Sequence, residues 1–439
     1  MKTITQVGQA IQKMLGPVSD EVAVETNFTQ RKSKITGSVF MQALVFSSLE
    51  DPDWRYSNLV AGAMNAGVSV TKQAMEQRFT PASAALAQRV LERAVETVIE
   101  TEAIALPLLE RFQGVYIRDS STITLPQEMD GVWPGVGGSL GSTAGVKLHT
   151  RLEVCSGRLA GPILAPAREH DQASPFQDEV LPAGALRMGD LGFFSLKQFT
   201  EDTRKGVYWL TRYRSGTCIY DPQGQRMDLL TWLSKLGGDQ GECMVQIGKT
   251  QQLPCRLLVE RVPPSVAEKR KRKLREYARK KQTPLTTELL ALANWTLILT
   301  NVPPRLLSLP EALVLLRVRW QIELLFKRWK SLFKVDEWRS QNIWRIMTEL
   351  FAKLLGAVIT QWIQLSAMNQ VLHPSFWKAA LVVRKFASCL AISFSFLFAL
   401  ERCLALIAAH FRAYCYLDSR SSRPSLFHLL DNPLCTTLP

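Results

Sequence analysis

The chain has 439 residues, more than one hydrophobic core supports, so two to four domains are expected, one of them open to interruption by an insertion. An apolar share of 46% excludes a disordered polyelectrolyte, and the eight cysteines, with neither C-x-x-C pairs nor histidines at zinc spacing, exclude a zinc-finger framework and read as reduced thiols. Lysine and arginine outnumber aspartate and glutamate by 53 to 39, a net charge of +14 that favours a polyanion, either nucleic acid or an anionic membrane surface.

The N-terminal MKTITQVGQAIQKM lacks the apolar core and small-residue cleavage site of a signal peptide, so secretion is not expected. Residues 1–110 read as a helical N-terminal DNA-binding domain, with Ala84–Glu100 keeping apolar residues at helical spacing. Within it, Leu59–Phe79 reads as a helix, a turn at Gly67 and a second helix carrying Lys72, Gln73, Gln77 and Arg78. That is the layout of a helix-turn-helix, whose second helix would enter a major groove; plain packing of a helical hairpin is the alternative.

From Gly114 the pattern changes to short strands: VYIRD at Val115–Asp119, VKLHTRLEV at Val146–Val154 and RLAGPILAPA at Arg158–Ala167. GVGGSLGSTAG reads as a flexible connection between the first two. A helix is expected over Pro175–Ala185, then the strand LRMGD at Leu186–Asp190 and a helix at Leu196–Arg204. Residues 206–302 read as a β-rich block with strands VYWLTRYR, TCIYD, CMVQIG, LPCRLLVERV and WTLILTN and a turn at Asp221–Gly224. In it Lys269–Lys281 (KRKRKLREYARKK) carries nine basic residues against one acidic, more than intrahelical pairing would use and suited to phosphate contact. After Pro303-Pro304 the chain returns to helices. Two uncharged stretches, Leu354–Leu372 and Phe386–Leu400, read as buried helices, since a span needs about 20 predominantly apolar residues.

Three acidic positions carry chemistry. Asp119 and Asp190 each end a strand: Asp119 is followed by Ser120-Ser121-Thr122, where a turn is expected, and Asp190 by Gly192, which suggests close backbone approach, with Phe193 and Phe194 packing beneath. Taken singly, each fits a turn or cap residue as well as a catalytic one. Glu323 lies in Leu316–Lys334, where at 100° per residue Arg319, Lys327, Lys330 and Lys334 fall within about 40° of it beside an apolar stripe of Ile322, Phe326, Trp329 and Phe333. A surface ion-pair network has the same pattern; the specific alternative is a metal-ligating carboxylate among phosphate-gripping cations.

These motifs resemble the bacterial insertion-sequence transposases of the IS-four type, within the larger DDE class. Their Y-R-E-K signature, with two, three and six residues between members, is matched by Arg319, Glu323 and Lys330, with Leu316 at the tyrosine position. The resemblance extends to VYIRDSSTITLP, KLHTRLEV, GDLGFFSL and RWQIELLFKRWKS. It implies an α/β fold with a ribonuclease-H-like catalytic core in two parts, 111–205 and 303–370, interrupted by a β-rich insertion domain at 206–302 and followed by a helical C-terminal region at 371–439.

The resemblance also implies that Asp119, Asp190 and Glu323 are catalytic and bind two divalent metal ions, Mg2+ with Mn2+ able to substitute. Two such ions deprotonate an attacking oxygen and stabilise a leaving one in phosphodiester cleavage and strand transfer. Arg319, Lys327 and Lys330 would contact DNA phosphates, and Trp295 would stack on a flipped base if cleavage passes through a hairpin. The implied partners are double-stranded DNA, as terminal inverted repeats and target, and a second copy of the chain; the implied place is the bacterial cytosol, at the nucleoid. An inactive, domesticated DNA-binding derivative is the alternative, with Leu316 as its only sign.

Overall fold

The computed structural model of the chain describes residues 2–99, 106–136, 144–368, 371, 373–417 and 430. Most of the glycine-rich connection, at 137–143, and most of the chain beyond 417 lie outside the described residues, as does Cys435. Nine strands follow in order: β1 Val115–Thr124, β2 Gly145–Glu153, β3 Leu159–Pro166, β4 Leu186–Gly189, β5 Tyr208–Arg212, β6 Ile219–Tyr220, β7 Gln240–Ile247, β8 Leu253–Arg261 and β9 Trp295–Thr300. Two compact units divide them. Among the described residues, one gathers the N-terminal helices with Ser120–Glu169 and the chain from Ile322 on; the other gathers the short segment from 106 to Asp119 with His170–Gln321.

In the first unit the Ile343–Leu365 helix is the axis. Asn342 starts it by accepting from the backbone N–H groups of Trp344 and Arg345, and every side chain from Ile346 to Gln364 is buried. Because this helix is apolar nearly all round, it must be enclosed. It is long and apolar enough to cross a membrane, but its apolar window is wholly buried within the fold, and it packs on the Pro81–Val95 helix, where Ser83 and Thr348 hydroxyls bond at 2.9 Å. Arg345 near its start is surrounded by Trp54, Tyr56 and Phe79 at 4.3–5.8 Å, and one turn on Glu349 meets Lys353 at 2.9 Å. The Gly37–Glu50 and Tyr56–Asn65 helices close up at Gly62, where an added Cβ would stand 2.9 Å from the Ala43 Cα. The β2–β3 hairpin is antiparallel with a bulge between His149 and Arg151.

The uncharged stretch Phe386–Leu400 is not one buried helix. Its helices Ala387–Ser393 and Leu397–Tyr414 are separated around Phe394–Phe396, and Ile392, Phe396 and Phe398 stand exposed.

In the second unit the strand order is β1-β4-β5-β9-β8-β7-β6. β1, β4 and β5 run parallel; from β5 onward the neighbours are antiparallel. The β-rich block expected at 206–302 therefore does not begin at a break in the sheet, since β5 pairs directly with β4 and β9 with β5. Its core holds Phe199, Trp209, Leu229, Cys255, Leu257 and Trp295, with the Phe199 and Trp209 rings stacked at 4.5 Å. The turn expected at Asp221–Gly224 is present, closed by Gly224 N–H to Asp221 O at 3.0 Å, with Gly224 at φ +82.

The helix expected over Pro175–Ala185 is absent: 175–185 is irregular. Pro175 and Pro182 remove donors, and Gly184 takes φ +81. The carbonyls thus left free are used by buried arginines. Arg118 donates to Phe176 O and Gln177 O, and Arg187 to Phe176 O and Glu179 O.

Candidate active site

Two of the three expected acidic residues follow directly on a strand pairing. β1 and β4 are parallel with Arg118 opposite Gly189, the residues that immediately precede Asp119 and Asp190, and neighbouring strands lie about 4.8 Å apart. Asp119 is half-buried and Asp190, at φ −76 and ψ 169, is exposed. Two like charges this close suit a divalent cation: carboxylate oxygens are hard donors, and the ion removes their repulsion. Among the described residues no cluster of three or more histidine, cysteine, aspartate or glutamate side chains is gathered tightly enough to hold a metal ion.

The strand does not turn after Asp119, as the Ser120-Ser121-Thr122 run suggests, but continues to Thr124 with Ile123 buried. β-branched Thr122, Ile123 and Thr124 sustain the extended backbone. Beyond Asp190 the reading holds: a Cβ on Gly192 would come within 2.5 Å of the Asp171 carboxylate, and Phe193 and Phe194 are buried.

Behind the aspartate pair lies a buried cationic layer that the sequence reading missed. Arg118 and Arg187 are 3% and 4% exposed. Arg187 forms a two-pronged ion pair with Asp202, Nε to Oδ2 at 2.9 Å and Nη2 to Oδ1 at 3.2 Å, and Gln198 also donates to Asp202. Arg118 stacks over the Phe193 ring at 5.1 Å and crosses Gly189, where a Cβ would stand 3.5 Å from its Cγ. Burial, with the charge of Arg187 adding to it, pulls the Arg118 guanidinium down to about 9. The available signal was an arginine set within each otherwise apolar strand, VYIRD and LRMGD.

The same unit carries a basic cleft of about 900 Å3 between β8, the Pro264–Lys281 helix and the Leu309–Val318 helix. Arg212, Arg261, Arg270 and Arg317 line it against the carboxylates of Asp239 and Glu260, with Leu316 and Trp320 at the helix side. Arg270 donates to Trp295 O at 2.9 Å and Thr296 Oγ1 at 3.1 Å, and its pKa is lowered by burial and then by Arg212.

Trp295 does not offer a free face here. It is 8% exposed in the apolar core, and Arg261 covers its ring at 4.6 Å. A strand that alternates toward a filled core takes its large apolar side chain inward. The exposed indole of this region is Trp320, at 53%, next to Arg319 in the signature.

Arg319 is buried, with helical φ −52 and ψ −31 between the Leu309–Val318 and Trp320–Ser331 helices, and Leu316 is 6% exposed. Glu323 belongs to the other unit, half-buried in the first turn of the Trp320–Ser331 helix. There Lys327 is exposed and Lys330 donates to Thr122 O at 2.8 Å. The helix ends at Ser331, so Lys334, at φ +48, leaves the expected basic stripe and pairs with Asp53.

In the N-terminal region the second helix of the expected helix-turn-helix is only Lys72–Glu76. Five residues rise about 7.5 Å, short for a recognition helix. Lys72 is exposed, but Arg78 is turned inward, over Phe28 at 5.5 Å and donating to Ser33.

Residues 110–359 match the family model of the transposase DDE domain. The chain is 26% identical over 362 residues to the transposase for insertion sequence element IS231F of Bacillus thuringiensis subsp. israelensis, covering 77% of this chain and 75% of that one. It is 24% identical to the transposase for insertion sequence element IS1151 of Clostridium perfringens, over 81% of this chain and 79% of the relative. It is also 31% identical to the putative transposase InsL for insertion sequence element IS186A of Escherichia coli, over 40% and 50% of the two chains.

Proposed function

The chain belongs to the transposase DDE domain family, whose members cleave DNA with divalent metal ions, and from that premise we propose that Asp119, Asp190 and Glu323 together form its catalytic site. The observation that supports this reading is the parallel register of β1 and β4, which pairs Arg118 with Gly189, the residues immediately before Asp119 and Asp190. The substrate is double-stranded DNA ending in the element's inverted repeats, and two copies of the chain act together because two ends must be joined.

Asp119, Asp190 and Glu323 would hold Mg2+, or Mn2+ in its place, and the ion would lower the pKa of an attacking water or hydroxyl and offset charge on a leaving oxygen. The side chains do the rest. Asp119, within β1, and Asp190, just past the end of β4, would supply hard oxygen ligands, and Glu323 the third from its helix. Lys327 and Lys330 grip the phosphates beside the scissile bond, and Arg319 orients them. Water attacks the phosphorus, the P–O3′ bond breaks, and a free 3′ hydroxyl and a 5′ phosphate remain. That hydroxyl then attacks the opposite strand, closing a hairpin, or later attacks target DNA. A base unstacked in the hairpin route rests against Trp320, the exposed indole beside the basic cleft, rather than against the core residue Trp295.

The test is a labelled duplex carrying the element's own end, incubated with purified protein in magnesium or in EDTA. Magnesium-dependent nicking that falls at least about 1000-fold in Glu323→Ala and in Asp190→Asn is expected, a loss of about 4 kcal/mol in transition-state stabilisation. Nicking of equal rate in a folded Glu323→Ala protein would sink the assignment.

A further inference from the structure

The basic run singled out in the sequence folds as one exposed helix, Pro264–Lys281, and the triad chemistry has no use for it. Only Ala267 is fully buried. At 100° per residue Lys269, Lys273 and Lys280 fall within about 40° of one another, with Arg272 and Arg279 flanking them. All three lysines are exposed, and among the described residues no ion pair engages them. The helix's two acidic residues are taken by others: Glu268 meets Lys271 at 2.8 Å, and Glu276 meets Arg272 at 3.8 Å. Arg270, about 80° round the helix from the row, is bonded to Trp295 O and Thr296 Oγ1 of β9, which pins the helix to the sheet and fixes the direction of the outer row.

We propose that the outer face of this helix is a sequence-independent grip on the phosphate backbone of duplex DNA, separate from the cleavage site. The inference rests on the DNA-cleaving function proposed above and adds a second contact with the same class of substrate. From Lys269 to Lys280 the row rises about 16 Å, which matches about five base pairs along a duplex. The row itself is lysine, a flexible point charge suited to phosphate, and of the two flanking arginines Arg272 is engaged by Glu276. An anionic membrane is the poorer fit. A helix that lies in a bilayer interface needs an apolar face to insert, and here Val266, Leu274 and Ala278 turn toward the fold, leaving only Tyr277, 60% exposed, among the charges.

Binding of the full chain to a fluorescent duplex of random sequence, without terminal repeats, is measured against sodium chloride. The variant carries Lys269→Gln, Lys273→Gln and Lys280→Gln; the control carries arginine at the same three positions. Loss of three phosphate contacts lowers the slope of log affinity against log salt by about 2.7, so from 50 to 200 mM salt the wild type should lose about 40-fold more affinity than the glutamine variant. The arginine variant should keep the wild-type slope. Equal slopes for wild type and glutamine variant, with tight wild-type binding, overturn this inference and leave the cleavage site untouched. No salt-dependent duplex binding by the wild type overturns it together with the DNA reading. A variant that loses binding to equimolar phosphatidylcholine–phosphatidylglycerol vesicles but keeps the duplex slope overturns it in favour of a membrane surface.

Discussion

Replacing Asp202 with asparagine should be among the most destabilising single changes in the second unit. The carboxylate is 2% exposed as a residue and takes two bonds from Arg187 and one from Gln198. Breaking one partner of a buried pair leaves the other charge without compensation and costs about 3–5 kcal/mol. The upper end applies, about 5 kcal/mol, because Asp202 also offsets the neighbouring cation of Arg118, so the variant removes the carboxylate that both buried guanidiniums share. Replacing the pair together, Arg187→Met with Asp202→Leu, removes the charges at the cost of the Arg187 bond to Glu179 O and one of the two arginine bonds to Phe176 O, which keeps that of Arg118, about 1–3 kcal/mol. The double variant should therefore be more stable than Asp202→Asn alone. Urea unfolding followed by tryptophan emission reports this transition, since Trp209 stacks on Phe199 one turn from Asp202. A loss below about 1 kcal/mol in Asp202→Asn, or a double variant as unstable as the sum of its single changes, would refute the reasoning.

The two tryptophans beside the cleft should separate cleanly. Trp295→Ala empties a core site and should lower stability by about 3–5 kcal/mol, whereas Trp320→Ala should unfold at the wild-type urea midpoint but bind a duplex with one unpaired base about 1–3 kcal/mol more weakly. The reverse pattern would restore Trp295 as the stacking residue. In the first unit, the Lys334 hydrogen bond holds Asp53 below its ordinary pKa, and the same bond raises Lys334. A depressed carboxylate contributes stability above its unfolded pKa and loses it as pH falls through the folded value. Lys334→Met should lower the melting temperature near pH 7, and the difference from wild type should close below about pH 3; a gap that persists there would mean the contribution is packing rather than charge.

Much of the site was legible because chemistry and strand ends coincide in single short motifs. VYIRD and LRMGD each read as an apolar strand closing on an aspartate, and both strands exist, although the first runs on past Asp119 to Thr124. Their parallel pairing was not legible, since register depends on contacts between segments about 70 residues apart in the chain. The Pro175–Ala185 error has a local cause: prolines and a left-handed glycine outweigh a loosely helical pattern, and Arg118 and Arg187 reward the irregular backbone. Trp295 illustrates the opposite difficulty. The resemblance finds the residue, but exposure depends on Arg261 and on the core beneath it, which no local pattern records.

The interleaving of the two units has a consequence for how the chain is made. The last long segment of the second unit, His170–Gln321, emerges from the ribosome before the Ile343–Leu365 helix, yet the Pro81–Val95 helix, synthesised more than 200 residues earlier, has its partner in that helix. The first unit must hold its N-terminal helices open through most of translation, exposing apolar faces to chaperones and proteases, while the second unit can already close. A message cut short between residues 322 and 343 would then yield a chain that carries the His170–Gln321 segment but a first unit with no axis to fold around, so its N-terminal helices should be open to proteases.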